Sequence, residues 1–342
     1  MKIGITPLIS QNIKSSNVKG LAIFDGDKKI CDVDISKMQL PNLGEKLYSF
    51  GLVSDIHFSY TSAAWNPAGK FDNALTCFEN TGCAFCCVCG DLTQTGFYCR
   101  TVESDASTTY FDETQLSEYK RICDNHPNLP VYEIAGNHES YYSMPITDNL
   151  AKWGEYTGKN VLHYAVEHQN DVFIFCGHPR GGTPMTDEAF TFLSDTLSAN
   201  SSKRCFVFVH PIWNDDSGDA NGAYANHSSG GGATLSEWGK GKDLKNLLAQ
   251  YPKVVLFHGH THIKFEEQAK DKSLNYTKKN GFHSVHIPSL GRPRDIIDDK
   301  LVYAPSESQG YIVDVYDGCV VLNGWDFINN IPVPLGTIKI DT

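Results

Sequence analysis

The chain has no apolar run that approaches the ~20 residues of a membrane-spanning helix, so no helical span is expected. Positive charge is also scarce. Lys and Arg number 29 against 40 Asp and Glu, a formal net charge of -11. Nonspecific binding to phosphate backbones or anionic membranes needs clustered cations, so neither long nucleic acids nor membranes are expected as partners. The first ten residues carry one Lys and a short apolar stretch broken by Pro7. They lack a long apolar core and a small-residue cleavage site, which leads us to expect no signal peptide and a cytoplasmic location. There is no repeat at solenoid periods and no low-complexity tail.

Cysteine is not scarce, but its pattern excludes a disulfide scaffold. Eleven cysteines, an odd number, are spread along 342 residues. Cys83, Cys86, Cys87 and Cys89 cluster within one apolar segment. Side chains alternate faces along a strand, so these four cannot all meet one ion. They read as small buried hydrophobes.

Residues 1–46 differ in character from the rest. Residues 19–24 and 29–35 flank Asp25-Gly26-Asp27 and predict a β-hairpin with a D-G turn. We take residues 1–46 as an N-terminal β extension packing on a main domain of residues 47–342. In that domain strands are predicted at 47–53, 84–88 and 130–135, with helices at 71–78 and 112–125, the second capped by Asp112. Residues 92–111 read as a polar loop. A hairpin at 161–166 and 171–176, a helix at 187–197, a strand at 204–209, a helix at 242–251 and strands at 254–257 and 282–287 follow. A last hairpin at 311–316 and 319–325 turns at Asp317-Gly318. The order strand, helix, strand, helix, strand is that of βαβ units and an α/β fold with largely parallel or mixed sheets. Residues 214–242 form a long insertion rich in Gly, Asn, Ser and Asp, the length of a functional lid.

Polar residues stand immediately after five of the predicted strands: Asp55 and His57, Asp91, Asn137 and His138, His210, and His260 and His262. Ligands in open α/β sheets sit at the carboxyl ends of strands. Carboxylate, imidazole and amide donors with no thiol suit Mn, Fe, Zn or Mg. Seven of these residues, Asp55, His57, Asp91, Asn137, His210, His260 and His262, exceed what one tetrahedral ion takes. Two ions sharing a carboxylate would use them all, and such a pair can grip a phosphoryl group. In Asp55-x-His57 and His260-x-His262 the side chains are two apart, so on an extended backbone each pair should point one way. His258, His283 and His286 are expected to support the site or decorate strands, His178 to be a loop residue, and His227 to be exposed in the insertion. Phe206 and Phe208 are expected in the core. Arg292 and Arg294 either grip a substrate phosphate as planar donors or close a surface turn.

The ordered blocks Ser54-Asp55-Ile56-His57, Gly90-Asp91-Leu92-Thr93, Gly136-Asn137-His138-Glu139, His210 and Gly259-His260-Thr261-His262 resemble those of the calcineurin-like metallophosphoesterases. The resemblance spans about residues 47 to 293. It implies a four-layer αββα sandwich of two mixed β-sheets flanked by helices. It implies that Asp55, His57 and His262 hold one metal ion, that Asn137, His210 and His260 hold a second, and that Asp91 bridges them. His138 would face the scissile ester as general acid or charge clamp, with a metal-bridging hydroxide attacking phosphorus in line. Small phosphorylated molecules would be the substrates. Family members often carry Asp where Gln94 stands here, and that Asp orients the catalytic His. Two alternatives follow: a weakly active or inactive scaffold on the same fold, or a phosphodiesterase or nuclease in place of a monoesterase.

Overall fold

The computed structural model describes residues 21–25, 28–33, 43–58, 65–94, 98–100, 109–111, 114–140, 150–179, 185–213, 234–235, 239–270, 275–298 and 300–342. The insertion expected as a lid, with His227, lies almost wholly outside these residues, as does the proposed cap Asp112. Leu21–Asp25 (β1) pairs antiparallel with Lys28–Val33 (β2), in a two-stranded sheet of their own.

The main chain then runs Lys46–Val53 (β3), Pro67–Thr81 (α1), Cys86–Val88 (β4), Tyr98–Arg100 (β5), Thr109–Phe111 (β6), Thr114–Asn125 (α2), Val131–Glu133 (β7) and Leu150–Thr157 (α3). His163–His168 (β8), Asp171–Cys176 (β9), Asp187–Ala199 (α4), Arg204–Val209 (β10), Ile212–Trp213 (β11), Thr234–Leu235 (β12) and Gly239–Leu248 (α5) follow. The last part holds Val255–His258 (β13), Phe265–Lys270 (α6), Tyr276–Thr277 (β14), His283–His286 (β15), Arg294–Ile297 (β16), Lys300–Tyr303 (β17), Gln309–Tyr316 (β18), Cys319–Asp326 (β19), Ile331–Pro332 (β20) and Ile338–Asp341 (β21).

Two sheets dominate. One has the order β20-β19-β18-β3-β4-β7, with β21 also on β19. Its members β3, β4 and β7 are parallel and β18 joins β3 antiparallel. The other has the order β14-β15-β13-β10-β9-β8, parallel through β15-β13-β10-β9 with antiparallel edges. Both sheets are therefore mixed.

Burial explains the layers. Phe50, Leu52, Phe85, Cys87 and Cys89 of the first sheet meet Phe173, Phe175, Phe206, Phe208 and Phe257 of the second in one core. On the outer face of the first sheet, Val53, Cys86 and Val88 pack on Phe71, Leu75 and Phe78 of α1 and Leu116, Tyr119 and Ile122 of α2. On the outer face of the second, Val172, Ile174 and Val207 pack on Leu193 and Leu197 of α4 and Leu244 and Leu248 of α5. The result is helix, sheet, sheet, helix. Strands covered on both faces read as unbroken apolar runs, which is why β9 and β10 carry no polar alternation. The cysteine cluster divides as alternation requires: Cys86 faces the helices, while Cys87 and Cys89 face the opposite sheet.

Local chemistry sets the helix ends. Asn66 accepts a hydrogen bond from the Gly69 amide, Pro67 opens α1, and Gly82 closes it at φ 75°. Thr186 caps α4 by accepting from Ala189 N, with Asp187 and Glu188 in the first turn. Some expectations shift. Helix α5 starts at Gly239, inside the stretch assigned to the insertion. The loop after residue 92 contains the β5–β6 pair, and the β16–β17 hairpin follows a stretch whose Pro and Gly hide strand character. Among the described residues no helix is long and apolar enough to cross a membrane.

The two sheets are tied at the end away from the ligand-bearing loops. Asp171 and Arg204 open β9 and β10, and the Arg204 guanidinium donates to both Asp171 oxygens at 3.0 and 2.7 Å. Tyr48 of β3 donates to Asp171 at 2.6 Å, and Arg204 donates onward to Tyr316 O and Thr342 Oγ1. Removing one partner of a buried ion pair strands the other. Arg204→Ala is therefore expected to lower unfolding free energy by about 3–5 kcal/mol in denaturant titration. Metal content should be unaffected. A loss below about 1 kcal/mol would show that the sheets are held by apolar contact alone.

Candidate metal centre

The donors named from the sequence converge. Asp55, His57, Asp91 and His262 offer ligand atoms within 4.8 Å of one another, and so do Asp91, His210 and His260. Asp91 belongs to both sets. All six side chains are buried. Asp91 Oδ2 lies 3.1 Å from His210 Nε2 and 3.6 Å from His57 Nε2. Asp55 Oδ1 lies 3.0 Å from His262 Nε2. Asn137 is buried in the loop after β7, next to the short 3-10 turn His138–Ser140.

Strand ends place these residues, and the backbone then turns sharply. Asp55, His57, Asp91, His260 and His262 have φ of 54°, 54°, 51°, 77° and 66°. Non-glycine residues rarely adopt this left-handed region, at a cost of about 1–3 kcal/mol each. The ligand pairs are therefore not extended, which corrects the argument from strand alternation. Asp55 and His57 do join one set, but His262 and His260 divide between the two. Close approach is secured by glycine. A Cβ on Gly136 would stand 2.1 Å from Asp91 Oδ1.

Long-range hydrogen bonds hold the loops together. Asp55 Oδ2 accepts from His260 N at 3.0 Å, and Asp91 Oδ1 accepts from His138 N at 2.9 Å. Glu139 accepts from Thr93 N and Oγ1 and from Gly136 N, clamping the second and third blocks. Three imidazoles are oriented by backbone carbonyls. The Nδ1–H groups of His210, His262 and His138 donate to Cys89 O at 2.7 Å, Arg292 O at 3.0 Å and Gln94 O at 2.6 Å. This fixes the tautomer and presents Nε2 to the centre.

The last contact resolves the departure at Gln94. The carbonyl of residue 94 orients His138, and a carbonyl is present whatever the side chain. Gln94→Ala is accordingly expected to change turnover by less than about threefold in steady-state assays. A loss of a hundredfold would return the orienting role to the side chain.

Electrostatics favour cations here. Burial would raise the Asp55 and Asp91 carboxyls, but the surrounding imidazoles outweigh it and hold both well below the usual range. Burial opposes protonation of His210, yet Asp91 and Asp55 lift it to about 10. Burial leaves His57, His260 and His262 neutral, with lone pairs available. The residues fit metal ions on a direct test: Asp55 Oδ1, Asp91 Oδ2, Asn137 Oδ1 and His210 Nε2 are buried without hydrogen-bond partners. His57 Nε2 and His262 Nε2 stand 3.0 Å apart, a separation suited to two lone pairs on one cation.

The remaining histidines divide. His283 and His286 lie on β15, and His286 Nε2 and Thr261 Oγ1, between the two ligands of the last block, are 2.8 Å apart. His258 ends β13 beside them, its ring 5.7 Å from that of His286. His178 is the residue sequence reasoning undervalued. It is 1% exposed, both ring nitrogens lack hydrogen-bond partners, and its amide donates to Ala135 O at 2.7 Å. Its position just past β9, a parallel strand of the second sheet not credited with a polar end, was the available signal. Arg292 and Arg294 follow β15 and clasp the first set. Arg294 N donates to His262 O at 2.9 Å, and Arg292 N donates to Ser289 Oγ, which donates to Asp55 O.

Comparison with known proteins agrees with this arrangement. The calcineurin-like phosphoesterase family model matches residues 48–264, more than half of the chain. No curated protein sequence matches. Among solved structures, a dimetal phosphatase from Danio rerio superimposes with a TM-score of 0.56 at 12% identity, covering 87% of this chain and 99% of that one. A purple acid phosphatase from yellow lupin (Lupinus luteus) seeds gives 0.54 at 12% identity, covering 88% of this chain and 55% of that one. At such identity these two likenesses show the shared fold. The ordered motifs, the four layers and the matched span together place the chain in the calcineurin-like phosphoesterase family.

Proposed function

We propose that the chain is a dinuclear metal-dependent phosphoester hydrolase acting on small phosphorylated molecules in the cytoplasm. Asp55, His57, Asp91 and His262 hold one ion, and Asp91, Asn137, His210 and His260 hold the other. The observation that carries this reading is the set of orphaned buried donor atoms in two groups joined by Asp91. Mn, Fe or Zn suits the donor set, and a bound pair would grip phosphoryl oxygens and lower the pKa of the attacking water.

The chain's own residues supply the rest. His138 stands at the rim, with 19% of its side chain exposed and Nε2 4.0 Å from Asp91 Oδ2. From there Nε2 can protonate the leaving oxygen or, as imidazolium, hold the phosphoryl group. Arg292 and Arg294 lie beside the first set and bind substrate anions. Glu139 keeps the blocks of Asp91 and His138 in register. Residues 1–46 form a β appendage to the domain of residues 47–342, and residues 214–242 act as the lid. Nine cysteines of the described residues are free thiols, eight of them buried, in keeping with a reducing compartment.

Protein reconstituted with Mn, Fe or Zn is expected to bind about two ions per chain and to hydrolyse p-nitrophenyl phosphate. The same assay with bis-p-nitrophenyl phosphate separates monoester from diester preference. Two bound ions with no turnover of either ester, under every metal, would identify a binding protein on a hydrolase fold.

A further inference from the structure

The segment that clasps the first ligand set gathers positive charge. Lys70, Arg292 and Arg294 meet there. Lys70 is 3% exposed and donates to Gly291 O at 2.9 Å. The Arg292 guanidinium sits 5.4 Å from the Trp65 ring centroid and 6.0 Å from that of Tyr303, and the two rings are edge-on at 5.1 Å. Arg294 donates to Tyr303 Oη at 3.0 Å and stacks on the same ring at 4.9 Å. No carboxylate among the described residues makes an ion pair with any of the three cations. The nearby acids are engaged elsewhere. Asp295 and Glu307 pair with Lys264 at 2.6 and 2.7 Å, and Asp326 accepts from Ile328 N and Asn329.

Such an arrangement is costly. Burial, the largest influence on Lys70, lowers it to about 8. Arg292 Nε is buried with nothing to accept its proton. A stranded buried donor costs stability unless a ligand takes it up. The aromatic walls hold Arg292 in place before any ligand arrives, which lowers the entropy lost on binding. The cluster is also joined to the metal centre, because Arg292 O accepts from His262 Nδ1 and Gly291 N donates to Asp55 O.

We propose that Arg292 and Arg294, backed by Lys70, form an anion subsite beside the metal centre, and that the preferred substrates carry a second anionic group a few atoms from the scissile phosphorus. The proposal rests on the phosphoester hydrolase reading above. It goes further by naming the substrate class: phosphoesters with a neighbouring carboxylate or second phosphate. The scissile phosphate goes to the ligand sets. The guanidinium of Arg292 takes the second anion through a charge-assisted hydrogen bond.

Glycerol 2-phosphate and 2-phosphoglycerate differ by one carboxylate and test this directly. With the metal-reconstituted full chain, kcat/KM is expected to favour 2-phosphoglycerate by about tenfold or more. Arg292→Met should bring that ratio close to one, chiefly through KM for 2-phosphoglycerate, and Arg292→Lys should restore part of it. Arg294→Met is a second variant with the same expected direction, should the first fail to fold. A wild-type ratio near one, or a ratio that neither Met variant alters, overturns the subsite and leaves the hydrolase reading intact if p-nitrophenyl phosphate is still cleaved. No turnover of any phosphoester overturns both.

Discussion

Asp91→Ala is expected to strip the centre of both ions at once and to lower turnover by at least about a thousandfold. The reason is positional. Asp91 belongs to both donor sets, and its two oxygens have separate duties. Oδ2 lies among His57, His210 and His138, while Oδ1 holds the His138 amide at 2.9 Å. The alanine variant loses the shared ligand and the tie between the second and third blocks together. Elemental analysis of dialysed protein, paired with steady-state kinetics, reads both effects. A variant that keeps two ions per chain and near-normal turnover would disprove the bridging role. Loss of one ion only would show that the two sets are independent.

His138→Ala should separate the two effects. Turnover is expected to fall by about 10²–10⁴-fold with metal content close to wild type, since His138 Nε2 faces the centre from the rim. The dependence on leaving group identifies the role. If His138 donates a proton, the loss is much larger for an alkyl phosphate than for p-nitrophenyl phosphate, whose leaving group needs little help. If it only clamps the phosphoryl group, the two losses are similar. Full activity in the variant would remove His138 from the chemistry altogether.

The two variants also test different parts of the structure. Asp91 is 1% exposed and at the base of the site, where loss of a ligand is felt by every neighbour. His138 is reached from solvent, its ring oriented by the Gln94 carbonyl and its amide bound to Asp91. A protein that fails to bind metal after the Asp91 change and turns over slowly after the His138 change divides as the geometry does.

Much of the fold was legible because its cause is local. Unbroken apolar runs such as residues 205–209 marked strands covered on both faces. The 3.6-residue recurrence of Phe71, Ala74, Leu75 and Phe78 marked α1. The short elements were not legible. The pair β5–β6 spans three residues on each side and the β16–β17 hairpin four, too few to show a period against the turn residues beside them. His178 lies in a loop, as expected, but its burial was not legible because no motif surrounds it.

The amino-acid sequence by itself determined which donors are present, in what order, and that each follows a strand. A strand's end is where the chain leaves the sheet, so donor type and strand position are both written locally. The family resemblance already implied how the donors divide, and the tertiary structure alone shows what makes them do so. His57 and His262 are 205 residues apart and 3.0 Å from each other, while His260, two residues from His262, goes with His210. That division depends on left-handed backbone at five of the donors and on carbonyls of Cys89 and Arg292 that aim two of the imidazoles. Torsions and carbonyl directions are products of packing between distant segments, and no side-chain identity encodes them.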